Sequence, residues 1–427
     1  MTNWKARQVD LNECLPHQLQ YSFSCFLSSL VPYAMGKEGQ FQHLNGARSL
    51  VAFWIVCAHY MPKGTATGDF LNGAVFRVNV AVCFFVVVSG FVTHWTSEGR
   101  PLESVNELLH FYVRRLSRVL VTFWLAMLWA VYLQHKNGQE LQVDYVVRCL
   151  CLVEQWVHWC PNGPSWFVFA LLPSWILYPL TRKLVYLAEE IGGGAGLLFF
   201  QAFLFLSSAG PAVYLLLVHG NITMQEHSDM TFWPPSQMSD FVLGMTTAAL
   251  VRRGGKYLHF LADFSLLVVV LVVFLLPRPA TTWALHLNGW EPMLDHGLAP
   301  LLAAFILGSC ADRERPGWCA RLLAHPALVS LGEMSFEVYI FQRPVHDTFE
   351  LFTATDEMDV FLVYLLVLWA FAGVYKSYVE DPVEQCLRAR RSGGSPAEVL
   401  KVPTEDFDLL PESSENADIE GVRNRGN

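Results

Sequence analysis

Apolar residues in this chain fall into long, nearly unbroken blocks separated by short polar loops. Most blocks are long enough to cross a hydrocarbon layer of ~30 Å, and many end in Trp, Tyr or basic residues, as helices do at a membrane surface. The pattern predicts ten spanning helices at residues 44–61, 74–95, 111–134, 165–187, 195–218, 236–252, 258–276, 296–311, 328–350 and 359–378. Gly and Pro inside several of them are tolerated where neighbouring helices satisfy the freed backbone groups. Residues 21–35 are apolar but short and broken by Pro32, which predicts a helix lying on the membrane surface. The stretch LNGARSLVAFWIVCAHYM, Leu44 to Met61, organises the rest. It carries Arg48 and His59, three helical turns and about 16 Å apart, on one face of an otherwise apolar helix. Ionisable residues inside a span usually face a bundle interior or a watery cavity and mark function, although an interfacial anchor and a packed imidazole would also account for this pair.

Composition agrees with the pattern. With 53% hydrophobic and only 16% charged residues in 427, the chain is too apolar for a soluble protein of its size. The expected class is therefore all-α, a polytopic membrane bundle of about ten helices. The net charge of −9 excludes a nucleic-acid partner less by its sum than by its distribution: much of the acid lies in the tail, and the bases lie in short loops. Those bases (Arg114, Arg115, Arg118; Arg182, Lys183; Arg252, Arg253, Lys256; Arg313, Arg315, Arg321; Arg388, Arg390, Arg391) fall in every second loop, so the positive-inside rule places both termini in the cytosol. The sequon Asn221-Ile222-Thr223 then lies outside. No CxxC pair suggests a metal site, and none is expected; Cys160 can pair with Cys149 or Cys151 if their shared loop faces an oxidising compartment. Residues 1–20 lack the features of a cleavable signal, which implies no processing. The chain divides into a cytosolic segment 1–43, a membrane domain 44–385 and a disordered acidic tail 386–427 containing EDFDLL, a weak sorting-signal pattern.

Candidate chemistry lies in a few stretches. FYVRRLSRVLVTFW places Arg114, Arg115 and Arg118 within five positions; such guanidinium clusters anchor lipid headgroups or grip a phosphorylated ligand. VAVCFFVVVSGFV contains Ser89, PNGPSWFVFALLPSWILYPL contains Trp166, FWPPSQMSDFVLGM contains Asp240, and LGEMSFEVYIFQRPV contains Gln342. Taken singly, each is ordinary helix packing in a membrane.

In order and spacing, these stretches together resemble the acyltransferase 3 family of membrane acyltransferases, which includes bacterial O-antigen and peptidoglycan O-acetylases. The resemblance covers residues 44–385 and rests on the Arg-x10-His pair, the FF…SGF stretch, RRxxR, Trp166 followed by Pro179, the Phe241 to Gly244 segment, LGxxSFxxY and YVEDP at 378–382. It implies acyl transfer from cytosolic acyl-CoA, acetyl-CoA in particular, to a hydroxyl of a carbohydrate, lipid or small molecule. The histidine would be catalytic, assisted by Arg48, and Arg114, Arg115 and Arg118 would lie near the donor. Ser89, Trp166, Asp240 and Gln342 are substrate or structural candidates. Departures from the family pattern at Ala81, Cys83, Val121, Leu171 and Gln342 imply a branch with altered acceptor recognition, or else lost activity.

Neutral imidazole suits proton abstraction from an attacking hydroxyl near neutral pH, which makes His59 the candidate base; an acyl-enzyme on His59 or Ser89 is the alternative. A ten-helix transporter would share the intramembrane charges, but the Arg-x10-His segment has no repeat in the second half. A non-catalytic receptor on the same fold is the third reading.

Overall fold

Within hydrocarbon a backbone must satisfy its own hydrogen bonds, and almost every element here is an α-helix. The computed structural model describes residues 41–62, 74–254, 260–276, 286–288, 293–311 and 317–385, apart from positions 76, 157, 233, 354, 356 and 384. The surface helix expected at 21–35 and the tail after Arg391 lie outside these.

In chain order the helices are α1 (Gln42–Tyr60), α2 (Asn79–Ser97), α3 (Val105–Lys136), α4 (Val143–Leu150), α5 (Trp166–Ile176), α6 (Tyr178–His219), α7 (Met224–Phe232) and α8 (Pro234–Arg252). They continue as α9 (Phe260–Leu275), α10 (Leu294–Gly297), α11 (Ala299–Ala311), α12 (Trp318–Leu323), α13 (Pro326–Glu333), α14 (Ser335–Glu350) and α15 (Met358–Tyr375). A π-helical turn, Lys376–Glu380, prolongs α15. One departure from an all-helical chain is a ribbon of β1 (Asn221–Thr223) antiparallel to β2 (His286–Asn288), with Ile222 opposite Leu287.

Helix occurs within each of the ten expected stretches where they are described, which does not make ten spans of them, and three of the stretches are broken. Residues 165–187 divide at Leu177 between α5 and α6, 296–311 at Leu298 between α10 and α11, and 328–350 at Met334 between α13 and α14. Among the described residues, five stretches are long and apolar enough to cross a membrane: Asn79–Ser97, Val105–Lys136, Tyr178–His219, Leu294–Ala311 and Met358–Val383. The 42-residue α6 would measure about 63 Å if straight. It is not straight: Gly193 takes φ 58° and ψ −136°, and a Cβ on Gly196 would lie 2.1 Å from the carbonyl oxygen of Ala188, so the chain doubles back there. Only glycine adopts such a φ without strain.

Two helices form the centre. Every residue of α8 from Ser239 to Val251 is buried, and α2 packs along it. Glycines set their separation, because a Cβ on Gly90 of α2 would lie 1.8 Å from the Phe241 carbonyl oxygen, and one on Gly244 of α8 would lie 2.0 Å from that of Val87. The SGF stretch and the Phe241 to Gly244 segment are thus two sides of one crossing. Outer helices present apolar side chains outward, among them Phe199, Leu217, Leu275 and Leu366, as a lipid-facing surface requires.

The bundle has two chemically distinct ends. At the basic end Arg252 pairs with Glu98 (2.5 Å), Arg253 with Glu189 (2.8 Å), and Arg182 donates to the Arg100 carbonyl (2.8 Å). The opposite end holds the ribbon, the C-terminus of α9 capped by the buried Arg77 guanidinium on the carbonyls of Val272, Val273 and Leu276, and a Cys149–Cys160 disulfide. That disulfide selects one of the two pairings open to Cys160; Cys151 remains free and exposed.

Candidate active site

Helix α1 runs between the two ends and brings a different set of groups to each. Near its start, Arg48 is half-buried, with Nη1 on Asn45 Oδ1 at 3.2 Å. The close approach of α1 to α12 and α13, where Gly46 meets the Leu323 carbonyl and Gly332 meets the Asn45 carbonyl, places Arg48 within electrostatic reach of Arg118, Glu337, Glu333 and Glu380.

The arginines of α3 separate by role. A Ser104–Glu107 capping box starts this helix, and its first turns carry all three. Arg114 is exposed. Arg115 turns inward, donating from Nη2 to Ser89 Oγ at 3.1 Å and lying over the Trp175 ring at 5.6 Å, within reach of Arg48. Arg118 is ion-paired to the buried Glu380 through Nε, and its Nη2 lies 3.9 Å from Glu337, which is fully buried. The π-helical turn carries Glu380 at the end of α15, and such turns recur at functional sites. Three guanidinium groups and two buried carboxylates therefore converge from α1, α3, α14 and the end of α15. The two acids were legible only as letters of the LGxxSFxxY and YVEDP stretches; what could have flagged them is the cost of burying a carboxylate without a cation.

Ser89 Oγ accepts from both Arg115 and Trp175 (Nε1, 3.3 Å). Those donors occupy its lone pairs, and among the described residues no base touches it, so Ser89 anchors Arg115 and is poorly placed to act as a nucleophile.

At the opposite end of α1, His59 is exposed as a residue, and its Nδ1 lies 2.9 Å from Gln342 Oε1 in a part-buried contact. Gln342 is fully buried on α14; its Nε2 donates to the Tyr339 carbonyl at 2.7 Å, and its own carbonyl receives the Tyr364 hydroxyl at 2.9 Å. Tyr60 stacks on His346 with ring centroids 4.1 Å apart, which ties the end of α1 to the same helix. Thus Arg48 and His59 share a helix face but not a contact: one meets the arginines, the other the glutamine.

Two further candidates stand elsewhere. Trp166 is buried edge-on to Phe232 (4.9 Å), which also receives Trp159 (4.7 Å), an aromatic cluster at the end opposite the arginines. Asp240 is fully buried, accepting from His296 Nδ1 at 2.6 Å and from Cys83 Sγ at 3.4 Å; beside it Asp295 accepts from His227 (2.5 Å) and Asn79 (2.9 Å). His296, His227 and Asp295 had no periodic or motif signal and emerge only from the fold. Among the described residues one group, His346, Asp347 and Glu350, gathers metal-ligating atom types within 4.8 Å; its carboxylates engage Arg343 and Thr355.

The described helices, five of them long and apolar enough to cross a membrane, make a multi-helix bundle in which α1 carries His59 at one end and brings Arg48 to the arginine cluster at the other. The chain matches the sequence profile of the acyltransferase domain of the acyltransferase 3 group over residues 41–375, and it belongs to that family. It is similar to Staphylococcus aureus proteins, among them those of strains COL and MRSA252, that carry the name "Putative O-acetyltransferase", at 21% identity across 79% of this chain and 56% of theirs. The chain thus spans little more than half the length of these curated relatives. No solved structure matches it.

Proposed function

We propose that this chain is an integral membrane O-acyltransferase of ten spans, moving an acetyl group from cytosolic acetyl-CoA to a hydroxyl of a carbohydrate, lipid or small-molecule acceptor. The observation that carries this reading is the placement of His59, an imidazole held at one nitrogen by Gln342, on the helix that also delivers Arg48 to the basic end.

In this reading the CoA phosphates meet Arg114 and Arg115 at the cytosolic face, where the alternation of basic loops places them. Arg48 lies further in, and Glu380 and Glu337 hold Arg118 so that the cluster stays ordered. The pantetheine arm, directed along α1, brings the thioester toward His59. His59 takes the proton of the acceptor hydroxyl as its oxygen attacks the thioester carbonyl, the C–S bond breaks, and the proton passes to the departing sulfur. The Cys149–Cys160 disulfide supports an oxidising compartment on the His59 side, where a luminal or external acceptor would arrive.

Purified protein in lipid nanodiscs, given acetyl-labelled CoA and fractionated membrane glycans, lipids or metabolites, should release CoA and label one acceptor class. A transporter or receptor on this fold would leave the thioester intact, and that result would refute the proposal.

A further inference from the structure

We propose that Gln342 is a positioning residue that fixes His59 as the Nδ1–H tautomer and leaves Nε2 as the nitrogen that accepts the proton. This deepens the proposed function and rests on its assignment of His59 as the base.

The argument needs only the donor and acceptor character of each neighbour. The Tyr339 carbonyl can only accept, so the end of the Gln342 amide lying 2.7 Å from it must be the NH2 group. The other end, 2.9 Å from His59 Nδ1, is therefore the amide oxygen, which can also only accept. His59 Nδ1 must supply the hydrogen, and in a neutral imidazole that leaves Nε2 with its lone pair bare. The amide cannot turn over to reverse these roles without opposing its oxygen to the Tyr339 carbonyl. It is fully buried, three residues from Tyr339 on the same helix, and its backbone is held by the Tyr364 hydroxyl. His59 is exposed as a residue at the end of its helix, and in this proposal the incoming hydroxyl approaches the bare nitrogen from that open side.

The role follows in the reaction. The acceptor O–H bond breaks as its proton goes to Nε2 and its oxygen bonds to the thioester carbon; Nε2–H then gives that proton to the leaving thiolate. Nδ1–H is kept throughout, and Gln342 Oε1 supports the transient imidazolium. A glutamine does this as a neutral dipole, with no buried charge to neutralise.

The test combines a spectroscopic and a kinetic reading on the full chain in nanodiscs. With 15N-labelled histidine, and the His59 signals assigned by their loss in His59→Gln, the wild type should show Nδ1 protonated and Nε2 bare. Gln342→Leu and the more nearly isosteric Gln342→Met should show mixed tautomers, while Gln342→Glu, held protonated by burial so that its O–H goes to the Tyr339 carbonyl and its other oxygen accepts from Nδ1, should keep the wild-type pattern. Under acetyl-CoA turnover the apolar variants should lose about 10- to 100-fold in kcat, part of the ~10²–10⁴-fold a positioned base supplies, with KM for acetyl-CoA unchanged and substantial rescue in Gln342→Glu. A wild-type His59 protonated on Nε2, or apolar variants with the wild-type tautomer and kcat, would overturn the inference. If neither apolar variant folds, the wild-type tautomer decides alone. A wild type with the expected tautomer but no transfer would remove the acyl-transfer reading and leave the tautomer assignment standing.

Discussion

Arg115 and Arg118 are three positions apart on one helix and yet have different surroundings, which gives them separable roles. Arg115 is braced by Ser89 and Trp175, neutral groups that leave its charge uncompensated, whereas Arg118 answers the buried carboxylate of Glu380. Arg115→Gln should therefore raise the KM for acetyl-CoA with little change in melting temperature. Arg118→Gln should destabilise the protein by about 1–3 kcal/mol, below the ~3–5 kcal/mol of a fully buried pair because Arg118 is 42% exposed. Glu380→Gln in the same chain should recover part of that loss, since it removes the orphaned charge; thermal unfolding of the single and double variants in detergent measures both. The sequence made the arginine cluster visible because three guanidinium groups in five positions are conspicuous. It hid the acids, because Glu337 and Glu380 meet Arg118 from helices more than two hundred residues further along the chain. His59 and Gln342 are likewise 283 positions apart, so each could be named from its own stretch but not as a pair.

Helix–helix contacts explain which motifs are structural. Gly90 and Gly244 let α2 and α8 touch backbone to backbone, so Gly90→Val should force the pair apart at a cost of about 1–3 kcal/mol or more, read as a lower melting temperature with His59 and the arginine cluster unsubstituted. An unchanged melting temperature would mean the two helices do not meet there. The extramembrane loop after α4 is held differently. The Arg148 guanidinium, 2.5 Å from Glu154, keeps that carboxyl below the usual carboxylate range, partly opposed by burial and assisted by His158. A depressed carboxyl contributes stability above its unfolded pKa and loses it as pH falls through the folded one, so the loop should loosen only below the ordinary carboxylate range. Hydrogen exchange at residues 143–160 should be flat from neutral pH to about pH 5 and rise below pH 4 after correction for intrinsic rates. Helix positions were legible from the apolar blocks, since periodicity and length survive in any context. The breaks at Leu177, Leu298 and Met334 were not, because they depend on what packs beside them, and the β1–β2 ribbon joins three-residue strands too short to show alternation.

At the scale of the whole molecule, the alternation of basic and non-basic loops becomes two physical ends, one braced by Arg182, Arg252 and Arg253 and the other closed by the disulfide loop. The proposed topology puts these ends on opposite sides of the bilayer. In sealed vesicles of known orientation, a membrane-impermeant maleimide should label Cys151 from the side opposite the one that gives access to Cys319, with labelled peptides identified by mass spectrometry. Modification of both from one side would overturn the topology. Only the order of the motifs across the chain pointed to the family, since none of them is diagnostic alone, and the family match spans residues 41–375.

The central claim is that this bundle carries out acyl transfer with His59 as its base. The most direct measurement compares wild type and His59→Gln, matched for folded protein by thermal unfolding, for acetyl transfer from labelled acetyl-CoA to the identified acceptor. Glutamine retains a polar side chain of similar reach and can keep a structural hydrogen bond, but it cannot take up the proton. The account predicts equal melting temperatures and a fall in rate of about 10²- to 10⁴-fold. Near-full activity in His59→Gln would contradict it and make His59 a packing residue.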